Sequence, residues 1–134
     1  MYANPNAALL SQYKNDSIMT AGPIELIVML YDGVIKNLKL VDIFMEDKAY
    51  EKVNVHLQKA QNIILELIRI LDLKYDIAEE LMRLYDYMLH ELVMINIKKD
   101  SSKIPELIEI ISNLKEAWQT VQNKNMHMYT TGEE

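Results

Sequence analysis

The feature that most constrains the fold of this chain is a spacing of apolar residues at every third or fourth position, sustained through four long segments. This spacing places the apolar side chains on one face of an α-helix, because the helix turns once every 3.6 residues or so. Glycine and proline, which interrupt helices, occur only three times each, and Pro23 and Pro105 stand where helices should begin. Since short links join the segments, the sequence predicts an all-α fold, an antiparallel up-down four-helix bundle.

Residues 20–123 are predicted to form this bundle. The predicted helices cover residues 23–45, 48–73, 77–98 and 103–123. Asp47 should cap the second helix, and Asp76 with Glu79 has the spacing of a capping box at the start of the third. The polar run Asp100-Ser101-Ser102 should turn the chain into the fourth helix. Residues 124–134 are polar and are predicted to form a mobile tail.

Residues 1–19 are predicted to form a separate N-terminal segment, with a short apolar patch around Leu9, Leu10 and Tyr13. A helix of about two turns is marginal in water, so this segment should become ordered only when it packs on the bundle. The first two turns of the first helix, residues 24–31, are apolar almost all round and would offer it a place. Two interpretations stay open: a movable lid, or a frayed terminus with a few buried anchors.

Composition excludes several classes of function. The chain has no cysteine, which rules out disulfides and thiolate sites, and its formal net charge of −6 leaves no basic stripe for nucleic acid. No histidine follows a glutamate by three residues, the spacing that di-iron bundles use, so no metal or other cofactor is expected. No glycine-rich phosphate loop is present, and no apolar run is long enough to embed the chain in a membrane. The sequence therefore indicates a protein that binds other proteins rather than an enzyme.

Apolar side chains on the second and third helices exceed the needs of a minimal core. They are Ile63 and Ile70 on the second helix, with Met82, Tyr85, Leu89 and Val93 on the third. If these two stripes face each other, they make a groove that accepts an amphipathic helix through residues spaced three and four apart. The alternative interpretation is a thick core with some scattered, exposed apolar residues.

Several short motifs are similar, in order and spacing, to those of one protein family. They are Thr20-Ala21-x-Pro23, Leu26, Met29-Leu30-Tyr31-Asp32-Gly33, Ala60 with Ile63-Ile64, Leu71-Asp72, Leu84-Tyr85-Asp86-Tyr87-Met88, Asn96, Asp100 and Ala117-Trp118. From Tyr13 to Trp118, the sequence thereby resembles the FliS family of flagellar secretion chaperones. It departs from the family pattern at Gly22, where a serine usually precedes the proline, and in the link between the second and third helices, which lacks the usual glycines.

The resemblance implies a cytoplasmic helical bundle that binds the disordered C-terminal segment of flagellin. Such a chaperone prevents premature polymerisation and, when loaded, is recognised by the export gate of the flagellar type III secretion apparatus. The resemblance also implies that the N-terminal segment can lie on the cargo-binding surface as a lid. The alternative is a helical interaction module that homodimerises when free of cargo or binds a flagellar regulator.

The motifs and the surplus apolar stripes together predict the side chains that contact cargo. They are Tyr13, Ile63, Leu67, Ile70, Met82, Tyr85, Leu89, Val93 and Asn96. Leu9, Leu10 and Tyr13 are predicted to form the lid. Asn96, late in an apolar helix, could bond a cargo backbone or equally cap a neighbouring turn.

Overall fold

The structure, a computed structural model, describes the backbone of residues 23–131 and the side chains of residues 23–121. Its helices are α1 (Pro23–Glu46), α2 (Tyr50–Arg69), α3 (Ile77–Lys98) and α4 (Ile104–Thr131). All regular structure within this range is helical, which confirms the predicted all-α fold. The N-terminal segment, and the prediction that it packs on the bundle, lie outside the described residues.

Helix α1 is the helix around which the others pack. It lies along α2 and along α4, and α2 lies against α3, whereas α3 and α4 approach each other less closely. Side chains from all four helices meet in one core. Those with no exposed surface are Tyr31, Val34, Leu38, Val41, Val53, Leu57, Ala60, Ile64, Met88, Leu92, Ile104, Leu107 and Ile111.

The core face of α3 includes Tyr85, which the sequence placed on the surplus apolar stripe. Tyr85 has only 2% of its surface exposed, while its neighbour Leu84 is half-buried. The reason lies on α1, where the hydroxyl of Tyr31 gives the Tyr85 hydroxyl a hydrogen-bond partner inside the core. A tyrosine with such a partner can be buried at little cost, and it takes the place expected for aliphatic side chains.

The turn between α1 and α2 is closed by backbone bonds. Lys48 adopts a left-handed conformation with φ of 55°, its N–H bonds to the Met45 carbonyl, and the Ala49 N–H bonds to the Phe44 carbonyl. Helix α2 then begins at Tyr50, and its N-cap is Ala49, without a side-chain bond. The predicted cap at Asp47 is therefore wrong, because Asp47 lies within this turn rather than at the helix start.

The link between α2 and α3 is longer than predicted. Helix α2 ends at Arg69 instead of Leu73, and the backbone of Asp76 is already helical, with φ of −59° and ψ of −38°. An N-cap residue needs an extended backbone for its side chain to reach the first free N–H groups. Asp76 makes no such bond, so the predicted capping box is wrong.

The turn between α3 and α4 agrees with its prediction. Lys99 ends α3 in a left-handed conformation, and its N–H bonds to the Ile95 carbonyl at 2.8 Å. The carboxylate of Asp100 then accepts a bond from the Ser102 N–H at 3.0 Å, which turns the chain into α4. Helix α4 continues past the predicted end at Asn123 to Thr131. The mobility of the tail stays a prediction.

Candidate partner-binding site

Tyr85, at the centre of the predicted cargo surface, belongs to a buried hydrogen-bonded group that joins three helices. Its hydroxyl lies 2.7 Å from the Tyr31 hydroxyl of α1, and the indole N–H of Trp118 on α4 donates to the same Tyr31 oxygen at 2.9 Å. Burial raises the pKa of Tyr31 and of Tyr85, so both stay protonated. Tyr85 is therefore buried with its hydroxyl bonded to α1, and its contact with cargo stays a prediction.

The stripe on α2 that contains Ile63 faces α1 and not α3. A Cβ atom placed on Gly33 of α1 would lie 2.9 Å from Cδ1 of Ile63, so the two helices touch there. On the same stripe, Nδ1 of His56 bonds to the Asn37 side-chain oxygen of α1 at 2.9 Å. The predicted groove between two facing stripes is therefore wrong. Its physical reason is the missing side chain of Gly33, which lets α1 cover this face of α2.

Other predicted contacts are partly accessible. Leu67 is buried, with 2% of its surface exposed, and its contact with cargo stays a prediction. Ile70, Met82 and Leu89 are half-buried, and Val93 is 42% exposed.

Asn96 on α3 lies beside α2. Its amide donates to the Asn54 oxygen at 2.7 Å, and its own oxygen accepts a bond from the Lys99 ammonium. The Asn54 bond joins α3 to α2 and fixes which of their residues lie level. Tyr13, Leu9 and Leu10 lie outside the described residues.

The Asn54–Asn96 bond identifies a surface that the sequence did not. About three turns along α2 from Asn54, Leu65 lies level with the middle of α3, between Met82 and Leu89, and half of its surface is exposed. The signal was present in the spacing, since Leu65 falls on the same side of α2 as Asn54. We call Leu65, Met82, Leu89, Val93 and Asn96 the α2–α3 face.

The opposite side of α3, toward α4, is closed by polar side chains. The hydroxyl of Tyr87 donates to the Glu106 carboxylate at 2.8 Å. The Lys103 ammonium lies 3.9 Å from Glu106 and 4.0 Å from Glu91. The bond to Glu106 raises the pKa of Tyr87, and the neighbouring Tyr87 and carboxylates raise that of Lys103. This side of α3 is thus bridged within the chain, whereas the α2–α3 face is apolar and open.

A family model described as Flagellar protein FliS matches residues 6–125 of the chain. The chain belongs to the FliS family. The resemblance read from the motifs is thereby confirmed, and so is the prediction of a flagellar secretion chaperone rather than an enzyme.

Relatives with the name flagellar secretion chaperone FliS match nearly the whole chain. The Bacillus subtilis protein is 35% identical over 121 residues, which cover 90% of this chain and 91% of the relative. The Escherichia coli protein is 32% identical over 123 residues, with 89% and 90% covered. A solved structure described as a flagellar chaperone from bacteria superposes with a TM-score of 0.74 at 19% identity, covering 90% of this chain and 99% of its own. That likeness supports the FliS fold.

The structure gives a packing role to each residue of the FliS-like motif Tyr31-Asp32-Gly33. Tyr31 holds the hydrogen bonds to α3 and α4, and Gly33 permits the close approach to Ile63. Asp32 pairs with Lys115 of α4 at 2.6 Å. These residues position the helices of the FliS bundle, and the exposed apolar side chains of the α2–α3 face come from outside this motif.

Two further findings concern the described part of this FliS-family chain. No group of three or more histidine, aspartate or glutamate side chains within it could hold a metal ion. Nor is any helix in that range both long and apolar enough to span a membrane.

Proposed function

We propose that this chain is a cytoplasmic chaperone that binds the disordered C-terminal segment of flagellin, prevents its premature polymerisation and delivers it to the export gate of the flagellar type III secretion apparatus. The observation that carries the proposal is membership of the FliS family across residues 6–125. The physics is consistent with it, since a segment that will form filament helices exposes apolar faces until another surface buries them. Folding on binding lets such a segment cover a large area of a small protein.

The α2–α3 face is the surface that we assign to this segment. Met82, Leu89, Val93 and Asn96 are spaced seven, four and three residues apart, which places them on one side of α3. Leu65 extends the face onto α2. An amphipathic helix laid along this face would bury the exposed part of these side chains, and the Asn54–Asn96 amides at its end offer groups for a peptide backbone.

Calorimetric titration with a peptide covering the last several dozen residues of flagellin tests the proposal. We expect saturable binding with a large negative heat-capacity change, because apolar surface is buried as the peptide folds. No binding heat at several temperatures, with the bundle folded and residues 1–17 removed, would contradict flagellin binding.

A matched pair of variants tests the surface. Val93 and Val121 are exposed to similar extents, 42% and 40%, but Val121 lies on α4. Val93→Ser should weaken peptide binding about fivefold, because roughly 1 kcal/mol of apolar burial is lost, and Val121→Ser should leave the affinity unchanged. Equal losses in the two variants would place the flagellin segment elsewhere.

The lid is tested by deletion. If residues 1–17 compete with cargo through Leu9, Leu10 and Tyr13, removing them should strengthen peptide binding, because the bundle no longer has to release its own segment. A weaker complex would instead make these residues part of the cargo site. The alternative of a homodimer predicts a molar mass that rises with concentration in light scattering and does not respond to the flagellin peptide.

A further inference from the structure

The α1–α2 side of the bundle carries a segregated positive charge in a chain whose net charge is −6. Residues 33–41 of α1 and 52–65 of α2 contain four lysines, one histidine and no carboxylate. The turn bonds and the His56–Asn37 bond place these two stretches side by side. Charges of one sign are thus concentrated where the two helices meet.

Three of these lysines surround one half-buried aromatic pair. The rings of His56 and Phe44 stack with centroids 5.4 Å apart, and the Lys52 ammonium lies 5.2 Å from the Phe44 centroid. Lys36 of α1 and Lys59 of α2 are the charged groups that act electrostatically on His56. None of the three lysines lies within ion-pairing distance of a carboxylate among the described residues. Like charges held together in this way repel each other, and the contact of Lys52 with the Phe44 ring does not neutralise them.

The hydrogen bonds around His56 determine which of its two ring nitrogens can take up a proton. The Asn37 amide nitrogen is committed to the Gly33 carbonyl at 2.8 Å, so its oxygen is the group that meets His56. Nδ1 of His56 must therefore donate, which leaves Nε2 to take up a proton. Burial, followed by Lys59 and Lys36, lowers the pKa of His56, so the ring is neutral at pH 7 in the free protein. A carboxylate placed beside Nε2 would favour the protonated ring.

We propose that the α1–α2 side, centred on Lys36, Lys52, His56 and Lys59, binds an acidic helical segment of a partner protein. Lys52, His56 and Lys59 are spaced four and three residues apart and so form one stripe along α2. Carboxylates at the same spacing on a partner helix form a matching stripe, with neighbours about one turn apart. A polyanionic nucleic acid fits less well, because the remaining acidic surface of the chain would repel it. This interaction is independent of flagellin binding and uses a different surface.

Fluorescence anisotropy with a labelled helical peptide that carries glutamates at matching four- and three-residue intervals tests the proposal on the full chain. We expect Lys36→Glu/Lys59→Glu to weaken binding at least tenfold. Arg83→Glu/Lys98→Glu is the matched control, because it also reverses two charges, at exposed residues of α3 outside the α1–α2 side. It should change affinity no more than about twofold, the size of a general charge effect.

Three results would overturn this assignment. One is an equal loss with Arg83→Glu/Lys98→Glu, and another is equal affinity for a peptide with serines in place of the glutamates. A single-stranded oligonucleotide that binds more tightly than the peptide is the third.

A second readout concerns His56: peptide binding should tighten as pH falls from 7 to 6, and His56→Gln should abolish that change. A pH response that persists in His56→Gln would remove His56 from the site.

Discussion

Removal of the Tyr31 hydroxyl is the sharpest perturbation of the contacts that hold this bundle together. Tyr31→Phe keeps the ring and deletes the one oxygen that serves both Tyr85 of α3 and Trp118 of α4. Each lost hydrogen bond costs about 0.5–1.5 kcal/mol net, and the Tyr85 hydroxyl is left buried without its partner, at about 1–3 kcal/mol. The sum is about 2–6 kcal/mol, a large part of the stability of a domain this size.

The same hydrogen bonds predict a smaller loss of stability for Tyr85→Phe. Tyr85→Phe removes a single bond, and Tyr31 keeps its bond from Trp118, so the cost should be about 0.5–1.5 kcal/mol. In the Tyr31→Phe background, Tyr85→Phe removes the orphaned hydroxyl itself. There it should be neutral or stabilising, because two apolar rings then pack without an unpaired polar group.

Urea unfolding of the four proteins in this cycle gives the measurement. Trp118 is the only tryptophan of the chain and reports on its own hydrogen bond, so its fluorescence follows the transition. The slope of the unfolding free energy against urea concentration should be the same in all four proteins, so that their unfolding midpoints can be compared. If Tyr85→Phe costs the same in both backgrounds, or Tyr31→Phe lies within about 0.5 kcal/mol of wild type, the hydroxyl group does not hold the helices together.

Other contacts give three further expected outcomes. Ile63→Val costs about 0.5–1.5 kcal/mol of stability in a typical core. In a chain that also carries Gly33→Ala the cost should be smaller, because Ile63→Val removes the Cδ1 atom that the added Cβ would meet. Equal costs in urea unfolding would contradict the close approach. Asp32→Asn should cost about 0.2–1 kcal/mol, a loss that should disappear at high salt if the Lys115 pair causes it. Because burial, then Lys59 and Lys36, hold the folded pKa of His56 below 6.5, stability should fall as pH drops through that value, and His56→Gln should flatten this part of the pH profile.

The motif residues and the proposed cargo face have different roles in this protein. Tyr31, Gly33 and Tyr85 are the most distinctive parts of the resemblance, and all three act in packing between helices. The apolar side chains of the α2–α3 face, such as Leu65 and Val93, lie outside the motif around Tyr31. A core that contains hydrogen-bonded polar groups tolerates few substitutions, whereas an exposed face can be substituted without breaking such bonds. Motifs therefore revealed the family, and of the residues on the proposed face they included only Asn96.

The link between α2 and α3 shows where local signals failed. The apolar spacing continues through Leu71 and Leu73, so the sequence predicted helix there, yet α2 ends at Arg69 and Leu73 is 69% exposed. Periodicity states which face a residue would take if the helix continued, but it does not state where the helix stops. Arg69, the last helical residue, pairs with Glu66, and Asp72 accepts a bond from the Lys74 N–H. From the sequence it is hard to judge which of such short-range bonds will decide where a helix ends.

The sequence by itself determined the helical class, the four segments and the family, because apolar periodicity and motif order are local properties of the chain. It could not determine that Tyr85 turns inward, since that depends on Tyr31 of another helix meeting it. It also could not tell that Ile63 faces α1, because the deciding atom is the one that Gly33 lacks. Only the tertiary structure decided these points, because burial is a property of neighbours brought together from distant parts of the chain.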